Sequence, residues 1–275
     1  MSTPTDSLPP LIRRLTPVVH AAVRQSGGAE RQQITPEQAA AIRPTAQAVA
    51  RRIDQTLLKP EVTPAQVEAA CEESRACRFA VLCVAPTFVR LASRSLQGSS
   101  VAVGSVAGFP FGADLPAVKA LQAQMAIDDG AREIDMVLAI GRLIAGDFAA
   151  VAEDLLAVTR LSHARGAQVK LILECGLLSH EMKVAACLLA MQCGIDMVKT
   201  STGLAGGGAT AEDVALLRSV VGGRLGVKAA GGIRTMDQAL TMLGAGASRL
   251  GTSHGVAIVR QIEAGLPSGG AATGY

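Results

Sequence analysis

The sequence is poor in aromatic residues and nearly balanced in charge. Its 275 residues include five Phe, one Tyr and no Trp, and 26 basic residues against 23 acidic ones give a net charge of +3. Proteins that bind single-stranded nucleic acid stack its bases on exposed aromatic rings, so this composition argues against that class. A small and dispersed charge also predicts no nucleic-acid partner and no membrane-surface partner.

The sequence also lacks the spacings that mark a metal site or a membrane span. Its six Cys form no Cys-x-x-Cys pair and its four His stand singly, which predicts no bound metal. Most of the cysteines are expected to be small buried residues in a reducing compartment. No apolar run reaches about 20 residues without a charge or a turn. The N-terminus carries Asp6 and prolines, unlike a signal peptide, so the cytoplasm is the expected location.

The chain has a large apolar fraction, and its two ends differ in composition from the central part. Hydrophobic residues make up 49% of the chain, enough to bury a large core. Residues 1–47 carry prolines, a Ser-Gly-Gly and scattered Arg and Gln, with short helices predicted over 8–25 and 36–50. We predict an N-terminal extension over 1–47 that docks on a main domain over 48–264. The Gly- and Ala-rich residues 265–275 have the composition of a flexible tail.

The main domain alternates apolar runs with amphipathic, Ala-rich segments. Strands are predicted over Ile53–Leu58, Phe79–Val84, Val101–Ala107, Glu133–Leu138, Val169–Glu174, Met197–Ser201, Gly226–Ala230 and Ser248–Gly251. Helices are predicted over 64–77, 86–95, 114–129, 147–165, 179–193, 210–221, 235–244 and 253–264. Apolar runs without strict alternation are typical of parallel strands that are covered on both faces.

Eight strand–helix units in about 210 residues favour an α/β fold, a single (β/α)8 TIM barrel with a helical N-terminal extension. An open, doubly wound sheet is the alternative. Such a sheet usually has fewer units, and no Gly-x-Gly-x-x-Gly follows the first strand here.

Three lysines lie inside predicted strands at two equal intervals of 29 residues: Lys170, Lys199 and Lys228. One strand–helix unit per interval places them at similar heights on the fifth, sixth and seventh strands. Burying three charged lysines costs desolvation free energy, which indicates that these lysines have a function. A neighbouring cation and partial burial lower the pKa of a lysine and leave a free amine that can attack a carbonyl carbon. The other lysines, Lys59, Lys119 and Lys183, lie at loop or helix positions and call for no explanation.

Polar residues on other strands are expected to face the same interior. Alternation puts Glu133 and Asp135 on one face of the fourth strand, where Asp135 is a structural counter-ion, a proton-relay carboxylate or both. Asp54, Thr56 and Cys83 on the first two strands are further inward candidates.

Glycines follow the sixth, seventh and eighth strands. Loops of this kind let backbone N–H groups approach an anion, and many barrels bind phosphate after strands seven and eight. The candidate phosphate-binding residues are Gly203, Gly231, Gly232, Gly251, Thr252 and Ser253. The alternative is that these glycines only form tight turns.

Six segments together resemble the deoxyribose-phosphate aldolases. They are Asp54–Lys59, Val101–Pro110, Glu133–Met136, Lys170–Glu174, Val198–Gly203 and Val227–Thr235, within a match over about residues 50 to 256. The resemblance implies a metal-free class I aldolase on a (β/α)8 barrel. Such an enzyme reversibly cleaves 2-deoxy-D-ribose 5-phosphate to D-glyceraldehyde 3-phosphate and acetaldehyde, with no cofactor.

The resemblance also implies residue roles and a homodimer. Lys199 is the implied Schiff-base lysine, Lys228 lowers its pKa and joins the proton relay, and Asp135 is the acid/base carboxylate. The candidate substrate-binding residues are Asp54, Thr56, Cys83, Lys170 and Thr200. Tyr275, the last residue, is a possible proton relay, with a disordered end as the alternative. Two other functions stay open: a Schiff-base aldolase for another phosphosugar, and a catalytically silent phosphosugar-binding barrel.

Overall fold

A closed barrel of eight parallel strands forms the centre of the molecule, in the order β1 to β8. It is seen in a computed structural model that describes residues 8–28, 45–205 and 207–265. The strands are β1 Ile53–Leu57, β2 Val81–Val84, β3 Ala102–Ala107, β4 Glu133–Val137, β5 Gln168–Ile172, β6 Met197–Lys199, β7 Gly226–Ala230 and β8 Arg249–Thr252.

Helices separate the strands and cover the outside of the barrel. They are α1 Leu8–Gln25, α2 Ala46–Ala50, α3 Pro64–Cys77, α4 Val89–Ser95, α5 Pro116–Asp128, α6 Ile140–Ile144, α7 Phe148–Ala164, α8 His180–Cys193, α9 Ala211–Val221, α10 Met236–Gly244 and α11 Gly255–Ala264. Short 3-10 turns lie at Pro86–Phe88 and Cys175–Leu177. Among the described helices, none is both long and apolar enough to cross a membrane.

The predicted barrel is confirmed, and the open sheet is wrong. Ile53 of β1 pairs with Leu250 of β8, so the sheet closes on itself. Every residue of β2 and of β4 is buried, because the barrel interior covers one face and the helices cover the other. In such a barrel the carboxyl ends of all eight strands open at one face, which is where function is expected.

Helix α1 docks on the outside of the barrel against α7 and α8. Its side chains Leu15, Val19 and Val23 are buried there, which accounts for a helix that has no core of its own. The predicted helix over 8–25 therefore exists. Of the helix predicted over 36–50, the structure has Ala46–Ala50, and residues 36–44 lie outside the described residues. The domain boundaries stay predictions.

Lys119 of α5 contradicts the expectation that it needs no explanation. Its side chain is fully buried, and its Nζ donates to the carbonyl oxygen of Val137 at 2.9 Å and to Oδ2 of Asp154 at 2.6 Å. The lysine thereby joins α5 and α7 to the end of β4, two residues beyond Asp135. The helical pattern alone does not show that this side chain points at a strand end.

Candidate active site

Three lysine side chains converge on one carboxylate inside the barrel, at Asp135 of β4. Lys199 and Lys228 are direct register partners across β6 and β7, whereas Lys170 pairs with Met197, two residues before Lys199. The predicted convergence of the three side chains is therefore present, with Lys170 further from the carboxyl end of its strand.

The oxygens of Asp135 divide the three ammonium groups between them. Oδ1 lies 2.7 Å from the Nζ of Lys170, and Oδ2 lies 2.8 Å from the Nζ of Lys199 and 2.9 Å from that of Lys228. All four side chains are buried, so these contacts act with little screening by water.

A second set of ion pairs lies beside the first, toward the amino ends of the strands. Oδ2 of Asp54 lies 2.5 Å from the Nζ of Lys228 and 3.1 Å from that of Lys170. Oδ1 of Asp54 accepts from Nη1 of Arg249 at 2.7 Å. Glu133 contributes Oε2 at 2.6 Å from the Nζ of Lys170 and Oε1 at 3.6 Å from Nη2 of Arg249.

The two sets form one charge cluster with unequal numbers of cations and anions. Its cations are Lys170, Lys199, Lys228 and Arg249, and its carboxylates are Asp54, Glu133 and Asp135. If every group is ionised, the buried cluster carries one uncompensated positive charge. An interior relieves such a charge by releasing a proton from the group that is held least well.

That group is Lys199. Burial lowers its pKa, and the charge of Lys228 lowers it further, against the opposing effect of Asp135. Burial also acts on Lys170 and Lys228, but two or more carboxylates outweigh it and raise their pKa values. The cluster therefore has one amine disposed to lose its proton.

The two aspartates of the cluster stay ionised. Burial alone would raise the pKa of Asp135, but the lysines around it bring the pKa well below its ordinary value. The same balance of burial against Lys170 and Lys228 lowers the pKa of Asp54. Both carboxylates are thus available as acceptors at neutral pH.

Thr56 and Cys83 are register partners on β1 and β2, on the interior face that also carries Asp54. Burial raises the pKa of the Cys83 thiol to about 11, so it stays protonated at neutral pH. Thr200, in contrast, is not brought to the interior. Its Oγ1 donates to the carbonyl oxygen of Ala230 and accepts from its N–H, both at 3.0 Å, because at the end of β6 its hydroxyl supplies bonds between the two strands.

The loops after β6 and β7 meet at their glycines. A Cβ added to Gly231 would lie 3.0 Å from the Cα of Gly208 and 3.5 Å from that of Gly203, so these backbones touch. Gly232 has a φ of +78° and open space around the position of a Cβ. Backbone N–H groups in such conformations can line a concave site for an anion.

Gly251, a candidate for the phosphate-binding loops, lies in a strand and not in a loop. It belongs to β8, and a Cβ there would lie 2.9 Å from the Cε of Lys228. Its missing side chain makes room for the lysine, a close approach that the sequence pattern does not show. Thr252 donates to the carbonyl oxygen of Ile233 at 2.6 Å and so joins β8 to the loop after β7, whereas Ser253 is exposed just beyond.

Two residues that sequence reasoning did not single out also lie at this end of the barrel. Glu174 is buried with a left-handed φ of 55°, and its Oε2 accepts from the N–H of Thr202 at 3.0 Å and from its hydroxyl at 2.5 Å. Ser201 is buried two residues after Lys199, and its Oγ has no hydrogen-bond partner among the described residues. Glu174 could have been singled out as a carboxylate at the end of a predicted strand, but the sequence does not show its left-handed backbone conformation.

Comparisons with known proteins match the part of the chain that forms the barrel. The model of the DeoC/LacD family aldolases matches residues 48–264. The chain belongs to the DeoC/LacD aldolase family. The expectation that this DeoC/LacD-family chain is an aldolase, a lyase on a TIM barrel, is thereby confirmed.

Curated relatives of this family member are about half identical to it. A deoxyribose-phosphate aldolase from Halalkalibacterium halodurans is 50% identical over 212 residues, which cover 77% of this chain and 94% of the relative. One from Thermococcus kodakarensis is 51% identical over 213 residues, which cover 77% and 95%.

Solved structures agree with the fold of this DeoC/LacD-family aldolase. An aldolase named QR15 has a TM-score of 0.75 at 36% identity and covers 78% of this chain and 96% of its own. The deoxyribose phosphate aldolase of Aeropyrum pernix, described as a unique tetramer, has a TM-score of 0.76 at 28% identity and covers 90% and 99%.

Proposed function

We propose that this chain is a metal-independent class I aldolase that uses Lys199 as a Schiff-base nucleophile. The observation that carries the proposal is the interior cluster in which cations outnumber carboxylates by one and Lys199 alone among the three lysines has a lowered pKa. The proposed reaction is the reversible cleavage of 2-deoxy-D-ribose 5-phosphate to D-glyceraldehyde 3-phosphate and acetaldehyde. The names of the curated relatives support this substrate.

The first step joins Lys199 to the sugar. The free amine attacks C1 of the open-chain aldehyde, and loss of water gives an iminium. Lys228 supports this step because its charge, next to Lys199 on Asp135, favours the unprotonated amine.

The second step breaks the C2–C3 bond. Asp135, acting through a water with Lys228 in the relay, takes the proton of the C3 hydroxyl. The bond electrons move to the iminium, which leaves an enamine on Lys199 and releases glyceraldehyde 3-phosphate. The low pKa of Asp135 keeps it ionised and suits it to hold the ammonium groups and to pass the proton on, rather than to retain it.

The third step protonates the enamine at carbon, and hydrolysis of the new iminium frees acetaldehyde and Lys199. Tyr275 is the predicted proton donor of this step, since a phenol is a weak acid that can donate through a water chain. This residue lies outside the described part of the chain.

The phosphate is assigned to the loops after β6, β7 and β8. Gly203, Gly231 and Gly232 have positive φ, and their backbones can approach an anion closely. We include Ser253 as a candidate phosphate contact because it is exposed at the start of the loop after β8. Gly251 and Thr252 support the site from β8 instead, through the room left for Lys228 and the bond to Ile233.

Location and assembly complete the proposal. We assign the protein to the cytoplasm, which cell fractionation tests. We also propose a homodimer, supported by exposed apolar side chains along α5 and beside it, which sedimentation tests against the tetramer described for the Aeropyrum pernix protein. These side chains are Phe111, Leu115, Val118, Leu121 and Met125.

Covalent trapping tests the proposed mechanism. The protein is incubated with 2-deoxy-D-ribose 5-phosphate and borohydride, digested and analysed by mass spectrometry, alongside Lys199→Arg and Lys199→Ala. We expect one reduced adduct on Lys199, no adduct and no turnover in either variant, and full activity of the unmodified protein in a metal chelator. An adduct on another lysine overturns the nucleophile, no adduct favours a binding barrel, and activity lost to chelator and restored by zinc favours a metal mechanism.

A further inference from the structure

Arg249 belongs to the interior charge cluster but has no part in any step of the proposed reaction. It is the first residue of β8 and the register partner of Lys228, which in turn pairs with Lys199. Its guanidinium reaches inward, 2.7 Å from Oδ1 of Asp54 and 3.6 Å from Oε1 of Glu133, and its side chain is 15% exposed.

The guanidinium of Arg249 occupies carboxylate oxygens of Asp54 and Glu133 that would otherwise be free to contact the lysines. Asp54 has one oxygen on Arg249 and shares only the other between Lys170 and Lys228. Both lysines are therefore held by Asp135 as well, and they compete there with Lys199. An arginine suits this place because it stays charged at every physiological pH.

We propose that Arg249 is a positioning residue that keeps Lys199 in its free-amine form, by supplying the fourth cation of the cluster and by occupying Asp54 and Glu133. The inference rests on the proposed Schiff-base function and assigns a reason for the charge imbalance. Arg249 lies at the start of β8, among the amino ends of the strands, and its described partners are acids rather than the loops assigned to substrate.

The charge balance includes every charged or titratable group that faces the barrel interior within residues 8–28, 45–205 and 207–265. These groups are Asp54, Cys83, Glu133, Asp135, Lys170, Lys199, Lys228 and Arg249, one or two from each strand except β3. Cys83 is a neutral thiol at neutral pH. Beyond the strands, Glu174 is held by Thr202.

The direction of the effect follows in two ways. Without Arg249, three lysines face three carboxylates, so the cluster is neutral with Lys199 protonated. The freed oxygen of Asp54 also draws Lys170 and Lys228 toward itself, which leaves Asp135 to hold Lys199 as an ammonium. Both effects raise the pH at which Lys199 loses its proton.

The test is the pH dependence of kcat/KM from pH 5 to 9, with cyanoborohydride trapping on Lys199 at each pH. In Arg249→Met we expect the acid limb of both profiles to move up by about one pH unit. The double variant Arg249→Met/Glu133→Gln removes one charge of each sign, so its profile is expected to return toward that of the unmodified protein. Arg249→Lys keeps the charge and is expected to stay close to it as well.

Several outcomes separate this role from plain structural support. Folding is followed by thermal unfolding, and Arg90→Met, which breaks the exposed ion pair with Asp129 on the barrel surface, is the matched control with no expected shift. A structural role predicts lower activity at every pH and a double variant worse than the single one, which overturns the inference. If Arg249→Met does not fold, the double variant Arg249→Met/Glu133→Gln is the test. An acid limb raised by about one pH unit in that variant also overturns the inference about Arg249.

The two proposals fail differently. If the unmodified protein gives no adduct on Lys199 at any pH, the Schiff-base function fails. If the adduct forms and its pH dependence is the same in Arg249→Met, the function stands and the role of Arg249 is wrong.

Discussion

Lys199 and Lys228 are register partners on β6 and β7, and their ammonium nitrogens contact the same oxygen of Asp135, at 2.8 and 2.9 Å. Two like charges on one buried oxygen oppose each other, so the two amines do not behave alike. Asp54 contacts Lys228 as well, which raises its pKa, whereas Lys199 has no second carboxylate among the described contacts and its pKa is lowered. An additional acid on one lysine thus makes the other the better nucleophile.

The first prediction concerns this pair. Lys228→Met removes a cation next to Lys199 and a member of the proposed relay, so the acid limb of the pH–rate profile should move to higher pH. The rate at pH 7 should fall about 10²- to 10⁴-fold, as for the loss of an acid–base group. Steady-state cleavage rates across the pH range measure both effects.

Lys183→Met is the control for that variant, because Lys183 pairs with Asp213 at 2.5 Å outside the barrel interior. It should keep the unmodified profile. An unchanged acid limb in Lys228→Met would contradict the account of the lowered pKa.

The second prediction concerns the loop after β6. Oε2 of Glu174 accepts both donors of Thr202, and Glu174→Gln keeps one acceptor oxygen but removes its charge, which should weaken each of these hydrogen bonds by about 1 kcal/mol. The KM for deoxyribose 5-phosphate should rise about tenfold, while the KM for unphosphorylated deoxyribose stays within about twofold. Thr202→Val, which removes the hydroxyl, should change KM in the same direction, and equal losses with both substrates would refute a role in holding the phosphate loop.

The third prediction concerns the phosphate site itself. Gly232→Val places a side chain in open space beside the proposed phosphate at a φ of +78°. Gly98→Val is a matched control, with a φ of +76° and equally open surroundings in a turn after α4. Both variants should lose about 1–3 kcal/mol of unfolding free energy to backbone strain, but only Gly232→Val should weaken binding of the phosphorylated substrate. A similar KM in the two variants would move the phosphate elsewhere.

The fourth prediction concerns the buried pair of Lys119 and Asp154. Lys119→Met leaves a buried carboxylate without its cation and should lower the free energy of unfolding by about 3–5 kcal/mol at pH 7. Lys119→Met/Asp154→Leu should lose much less, since it buries no charge. Denaturant unfolding measures both.

The pH dependence of that loss has a definite sign. Burial already raises the pKa of Asp154 in the folded protein, and loss of Lys119 removes the main opposing charge. A carboxyl whose folded pKa is raised destabilises the fold above that pKa and ceases to do so once it is protonated. The deficit of Lys119→Met should therefore shrink as the pH falls toward about 3.9, the ordinary aspartate pKa, and a constant deficit would contradict it.

The fifth prediction concerns the end of the chain. Tyr275→Phe should slow exchange of the acetaldehyde methyl protons with deuterated water, followed by NMR, and leave trapping of Lys199 unchanged. The physical reason is the loss of the phenolic proton donor. If Tyr275→Phe and deletion of residues 270–275 both exchange at the unmodified rate, the residue has no part in the proton transfer.

The amino-acid sequence was sufficient to predict the barrel and the convergence of the lysines. Alternation of apolar runs with amphipathic segments reflects strands covered on both faces, and this depends only on local composition and period. An interval of 29 residues, one strand–helix unit, brings Lys170, Lys199 and Lys228 to the same side of neighbouring strands. The side of Asp135 follows from alternation within β4 in the same way.

Which atoms contact one another became known only from the three-dimensional structure. Arg249 contacts Asp54 across 195 positions of sequence, because closure of the barrel sets β8 beside β1. Gly251 leaves space for the side chain of Lys228, and the hydroxyl of Thr200 donates a hydrogen bond to β7. Both contacts depend on where the strands end and on their register. A local pattern gives the face of a residue, but the partner of a buried charge depends on stagger and closure, which join segments far apart in the chain.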